Sequence, residues 1–228
     1  MIGTHKSMYR SDLLSGKRIL ITGGGTGLGK SIGLRYVELG ANLVICGRRK
    51  EVLEQTAKEF KDSLGVSIET HVCDVRDAKA VESMMDAIWA MGPLDVLLNN
   101  AAGNFLARTE RLSTRAFDAV VDIVLKGSAY CTMDVGRRWI EAGRKGTVMQ
   151  ILTQSAMTGM PFTVPSAMAK AGALAMIRSL AVEWGPYGIR TVGVVPGPFP
   201  TEGAWSRLMP KERIGEAPIE QGVALRRV

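Results

Sequence analysis

Six short apolar runs, separated by five stretches with helical spacing, divide most of this chain, and their alternation constrains the fold more than any other feature. The runs are KRILIT (17–22), ANLVICG (41–47), VSIETHVC (66–73), LDVLLNN (94–100), GTVMQIL (146–152) and IRTVGVV (189–195). Helical periodicity fills the gaps over 28–39, 50–64, 78–91, a long 114–142 region and 166–184. Strands joined through helices by short turns must run parallel, with helices covering both faces. Right-handed crossovers then give an α/β, doubly wound parallel sheet of six strands in the order 3-2-1-4-5-6.

At 228 residues there is room for one such domain and little for a second, so residues 1–228 read as a single unit. Residues 1–15 and 197–228 read as loosely ordered flanks, the latter a loop and helix region on the substrate side. A hydrophobic fraction of 46% beside 22% charged residues is ordinary for a folded domain. No apolar run approaches the roughly 20 residues that span a bilayer, and the first ten residues lack a signal-like apolar stretch. The expectation is a cytoplasmic protein with no membrane partner. Cys46, Cys73 and Cys131 show no paired spacing and read as buried, reduced thiols. His5 and His71 alone supply neither a metal cluster nor a Ser-His-Asp triad. The net charge of +7 suits an acidic partner, but the basic residues are scattered without interleaved aromatics, which argues against nucleic acid.

Chemistry concentrates at the carboxyl ends of the expected strands. The first run ends in Thr22, Gly23, Gly24, Gly25, Thr26, Gly27, Leu28 and Gly29 and opens a helix. Glycines there permit a tight turn, let backbone amides approach a pyrophosphate and bring helix and sheet together, the mark of a Rossmann-type dinucleotide site. After the second run, where an acid would bind a ribose 2′-hydroxyl, stand Arg48 and Arg49. Positive charge there favours a 2′-phosphate, hence NADP(H). Asp74 and Val75 follow the third run, beside an adenine or at a helix start. Asn100, Ala101 and Ala102 follow the fourth, against a cofactor ribose or as a plain loop.

TGGGTGLG, NNAAG, the lysine of SAMAK (Lys170) and PGP after the last run resemble, in this order, the short-chain dehydrogenase/reductase superfamily. AAGNF, TERLS, DIVLKG, VPSAMAKAG, AVEWGPYGIR and PGPFPTEGAWSRL resemble more narrowly its NADPH-dependent 2,4-dienoyl-CoA reductases. The resemblance implies that Lys170 contacts the cofactor and that Pro196, Gly197, Pro198, Phe199 and Thr201 form a loop over the nicotinamide. In the general mechanism of the superfamily a tyrosine four residues before the lysine moves the proton. Here that position holds Ser166, the accompanying serine is Thr153, and the asparagine position in DIVLKG is Val124. Plain alcohol–ketone chemistry lacks its acid.

Dienoyl-CoA reductases also carry serine at the Ser166 position and hold the thioester oxygen with hydrogen-bond donors instead. Asn104 matches one such donor. The other, a tyrosine two residues after Thr153, is Ser155 here, and the aspartate of the peroxisomal type falls on Val124. The divergent stretch 154–163 is expected to bring Met157, Met160 and Pro161 toward the pocket. The catalytic candidates are therefore Lys170, Asn104, Ser155, Ser166 and Thr153. By the same resemblance Arg48, Arg76 and Arg207 match positions around CoA phosphates, and Asn104, Phe105 and Ser113 lie near the thioester. The implied activity is NADPH-dependent reduction of an unsaturated fatty acyl-CoA, with an acyl-CoA as partner in fatty-acid oxidation. A carbonyl or 3-oxoacyl thioester reductase and a catalytically weak NADP-binding regulatory protein stand as alternatives. Members of the superfamily continue through another α/β unit that reads as missing after ALRRV, and they commonly form homo-oligomers, typically tetramers.

Overall fold

The computed structural model describes residues 8–197 together with Phe199. Six strands, β1 Arg18–Thr22, β2 Asn42–Gly47, β3 Glu69–Val72, β4 Val96–Asn99, β5 Gly146–Ile151 and β6 Ile189–Val194, form one sheet in the order β3-β2-β1-β4-β5-β6. Every pairing is parallel, and Ile21 of the central β1 sits between Ile45 and Leu98. The doubly wound α/β sheet expected from the alternation is the one observed, strand order included. The third strand is shorter than its apolar run. As an edge strand with one neighbour, it keeps only the residues that β2 pairs.

Helices α1 Gly27–Glu38 and α2 Lys50–Leu64 cover one face, where Val37, Leu53 and Phe60 pack on Ile19, Ile21, Leu43 and Ile45. The other face carries α3 Ala78–Ala90, α4 Thr114–Val121, α5 Gly127–Glu141 and α7 Val164–Trp184, with the single turn α6 Ser155–Thr158 leading into the last. There Met84, Met85, Ile88, Val135, Trp139 and Trp184 enclose Leu20, Val44 and Val148. All three cysteines are free and buried in this second cluster. Local chemistry sets several boundaries. Asp77 accepts from Lys79 N and Ala80 N to cap α3, and Ser113 accepts from Ala116 N to cap α4. Pro165 stands in the first turn of α7, where no amide donor is required, and the helix starts two residues before the expected Ser166.

The long 114–142 helix is not uniform. Residues Asp122–Lys126 form a π-helical segment joining α4 to α5, a wide turn that a periodicity count does not register. It places Val124 wholly in the interior, packed with Val120 and Ala169. Among the described residues no helix is long and apolar enough to cross a membrane.

Candidate functional site

Strand order reverses at β1, whose neighbours β2 and β4 lead the chain to opposite sides of the sheet. A parallel sheet opens a crevice at such a point, beyond the carboxyl ends of its strands. Here the crevice is a cleft of about 930 Å³, lined by the loops after β1, β2, β3 and β4 and by Ile151 and Ser166.

The glycine loop forms one wall and is held by its own backbone. Gly23 N donates to Cys46 O at 2.8 Å, and Thr56 Oγ1 on α2 donates to Gly25 O at 2.8 Å. Thr22 Oγ1 accepts from both Asn100 N and Ala101 N at 3.0 Å, while Asn100 Nδ2 donates to Thr22 O at 2.9 Å. Thr22 and Asn100 thus lock the β1 and β4 loops together. Gly24 and Gly29 leave no room for a side chain. A Cβ on Gly29 would lie 2.5 Å from Asn100 Nδ2 and 2.7 Å from Gly23 O, and one on Gly24 would lie 2.5 Å from Ile45 Cγ2. Gly25, Thr26, Gly27 and Leu28 face the cleft at the start of α1, where the first amides of a helix have no partner within it.

Arg48 and Arg49 line the cleft beyond β2, both exposed. Asp74 and Val75 line it beyond β3. Asp74 is engaged by Arg76, whose Nε and Nη2 reach its two carboxylate oxygens at 2.9 and 2.5 Å. That guanidinium, with a smaller contribution from Arg48, holds the Asp74 carboxyl below its usual range. Two positions expected to serve different ligands are therefore paired with each other. Ala101, Ala102 and Asn104 complete this side.

Beyond those loops and the first turns of α1 and α2, only Ile123, Ile151 and Ser166 line the cleft, whereas Lys170, Thr153, Ser155, Phe105 and Ser113 do not. Lys170 lies on α7, 5% exposed, and its Nζ donates to Ile151 O at 2.5 Å. Burial lowers its pKa to about 8. Ser166, one turn earlier, is buried and faces the cleft. Ser155 Oγ donates to Thr153 Oγ1 at 3.4 Å, so these hydroxyls neighbour one another where an acid was sought. Asn104 Oδ1 accepts from Phe105 N at 2.9 Å, which leaves its Nδ2 as the donor. Phe105 packs with Ile123 and Leu125 against the Val124 cluster. Ser113 serves as the α4 cap described above. Val124 is 0% exposed and offers nothing polar to the cleft.

Met157 and Met160 do not turn inward as expected. They are 57% and 56% exposed and are absent from the cleft wall, as is the exposed Pro161. The single turn of α6 and Gly159, at φ 72°, carry them outward. Phe162 follows with φ 65°, a left-handed conformation that side chains rarely adopt, and its carbonyl accepts from Ala107 N at 3.0 Å. Pro196 and Gly197 follow β6, and Phe199 is exposed. Pro198, Thr201 and Arg207 lie outside the described residues. The sequence reading missed Ile123 and Cys73, which line the cleft, and Gln150, an amide buried in a mostly apolar run. That interruption of GTVMQI was the available signal.

Residues 17–211 match the short chain dehydrogenase family. An uncharacterised oxidoreductase of Caenorhabditis elegans is 48% identical over 201 residues, covering 87% of this chain and 64% of that protein. A second protein of the same organism, named a probable 2,4-dienoyl-CoA reductase producing (3E)-enoyl-CoA, is 46% identical over 208 residues, covering 90% and 67%. The chain thus spans about two thirds of the length of these curated relatives. A crystal structure of a short chain dehydrogenase from Bacillus anthracis superposes with a TM-score of 0.82 at 40% identity, covering 93% of this chain and 83% of that one. With the cleft, the strand order and these likenesses in agreement, the chain belongs to the short-chain dehydrogenase/reductase superfamily and is similar within it to the 2,4-dienoyl-CoA reductases.

Proposed function

We propose that residues 1–228 act as one NADP(H)-binding unit that reduces an unsaturated fatty acyl-CoA, as a 2,4-dienoyl-CoA reductase with an altered proton-donor side. The observation that carries this reading is Lys170 buried with its Nζ on the carbonyl of cleft-lining Ile151, while Asn104 and Ser166, the latter at the usual tyrosine position, line the cleft itself. The wall fits a dinucleotide, because Gly24 and Gly29 approach their neighbours too closely for a Cβ and the loop presents backbone to the cleft. A bound dinucleotide supplies the hydride. The free amides at the start of α1 receive the pyrophosphate. Arg48 and Arg49 suit a 2′-phosphate, Asp74 an adenine, and Lys170 the ribose hydroxyls. Asn104 Nδ2 donates to the thioester oxygen, where negative charge develops during reduction. Ser155 and Thr153 are too short to replace a tyrosine directly, and a held water between hydroxyl and substrate restores the reach. Arg76 reaches a CoA phosphate once it parts from Asp74.

The test is oxidation of NADPH with a short 2,4-dienoyl-CoA, followed by the loss of its near-ultraviolet absorbance. Slow but measurable turnover is expected, and none at saturating cofactor overturns the proposal. A second reading, a cofactor-binding regulatory protein with little chemistry, is favoured by the fully buried Val124. NADPH binding by calorimetry without turnover on any thioester selects it. Robust reduction of acetoacetyl-CoA with none of the dienoyl-CoA selects instead a 3-oxoacyl thioester reductase.

A further inference from the structure

Gln150 stands in β5 at the register position beside Asn99 of β4, and it is 1% exposed. Burying an amide is costly unless its polar atoms are paired, so the contacts it makes are informative. Its Nε2 donates to Ser128 Oγ and to Ile151 O, both at 3.3 Å. Lys170 Nζ donates to that same Ile151 O. Two donors, one on β5 and one on α7, therefore converge on a single carbonyl whose residue lines the cleft. Gln150 Oε1 and the neighbouring Asn99 Oδ1 are buried with no hydrogen-bond partner among the described residues. An apolar side chain of the same length would avoid that unmet acceptor. What the glutamine offers in return is its donor end.

We propose that Gln150 is a positioning residue for Lys170: by sharing the Ile151 carbonyl it sets how firmly β5 holds the ammonium, leaving the ammonium able to donate into the cleft. This rests on the reading of Lys170 as the group that addresses the cofactor. The physical basis is electrostatic. Two N–H donors aimed at one oxygen bring partial positive charges together, and in a dry interior each weakens the other's hold. Burial is the cause of the lowered Lys170 pKa, and no charged side chain on β5, β6, α4, the π segment, α5, α6 or α7 adds to it. Ser128 tethers the amide in turn, since its hydroxyl, which accepts from Nε2, donates to Val124 O at 2.9 Å in the π segment.

The experiment follows the pH dependence of Lys170 arylation by fluorodinitrobenzene in the full chain, read by peptide mass mapping, with no acyl-CoA present. Gln150→Met keeps the volume and removes the donor. It should raise the labelling midpoint by about one pKa unit, slowing labelling at pH 8 about fivefold. Ser128→Ala frees the amide to close on Ile151 O and should move the midpoint the opposite way. A glutamine with only a packing role would change thermal stability and leave both midpoints in place, which overturns the proposal, as would shifts of one sign in both variants. NADPH protection of Lys170 in the parent tests the underlying assignment separately. Failure of dienoyl-CoA turnover with both midpoints moving as stated would sink the substrate reading and leave Gln150 in its role.

Discussion

On the dinucleotide side of the cleft, backbone and short side chains hold each other at several points: Gly23 to Cys46, Thr56 to Gly25, and Thr22 with Asn100 in both directions. On the substrate side, Ala107 N to Phe162 O joins the loop after β4 to the 154–163 stretch, and the facing hydroxyls of Thr153 and Ser155 meet at a long 3.4 Å. One side is tied across elements at several points, whereas the 154–163 stretch is tied mostly to itself, through the turn of α6 and Thr163 Oγ1 on Met160 O. Conformational freedom removed in advance is freedom that binding need not remove, so the first wall suits tight, uniform cofactor recognition. The second leaves room for substrate shape to change while the fold stays as it is.

Gly29→Val attacks the rigid wall most directly, because its Cβ would enter contacts with Gly23 O and Asn100 that have nowhere to retreat. NADPH affinity measured by fluorescence titration should fall at least about 100-fold, in line with the sensitivity of such sites to small displacements. Lys170→Met probes the junction of the walls. Burial depresses this lysine from 10.5 to about 8, so its folded-state penalty is full below pH 8 and disappears as pH rises toward 10.5. The variant should therefore be more stable than the parent by about 3 kcal/mol at pH 7, with the gap closing by pH 10.5 in urea titrations. Its turnover should be lost.

Ser155→Tyr sharpens the comparison from the weak side. If this wall lacks one oxyanion donor, turnover on the dienoyl-CoA should rise about 100-fold, the usual worth of such a donor. An unchanged rate would break the substrate assignment. Arg48→Ala should cost about tenfold in preference for NADPH over NADH, as expected for one charge-assisted contact at an exposed position. The smallest effect belongs to Phe162→Gly. Relieving the left-handed backbone should stabilise the fold by about 1 kcal/mol, less whatever the half-exposed ring contributes, and a thermal melt measures it.

The same contrast explains what could be read from the amino acids alone. Strands, order and the glycine wall were legible because each depends on short-range pattern: apolar runs, turn glycines and helix caps. Arg48, Arg49 and Asp74 could be placed because they follow strand ends directly. The substrate wall was less legible, since its geometry depends on features without a periodic signature. The π segment carries Val124 inward, Gly159 turns Met157 and Met160 out, and the shared carbonyl of Ile151 joins residues 150 and 170. Arg76, which the resemblance sets near CoA phosphates, is paired in this structure with its own neighbour Asp74, a contact no strand or helix period announces.

The burial of all three cysteines has a practical side. Desolvation pushes Cys46 up to about 12 and Cys73 to about 11, and it raises Cys131 as well, so none presents a thiolate at neutral pH. A single new thiol on the surface would meet no competitor for a maleimide dye beyond Cys73, which lines the cleft but is held protonated by its raised pKa. Placed by Met160→Cys, at a side chain 56% exposed on the stretch outside the cleft, such a dye would make the native tryptophans its energy-transfer donors. Movement of that loop could then be followed by fluorescence during turnover, with every native cysteine left in place.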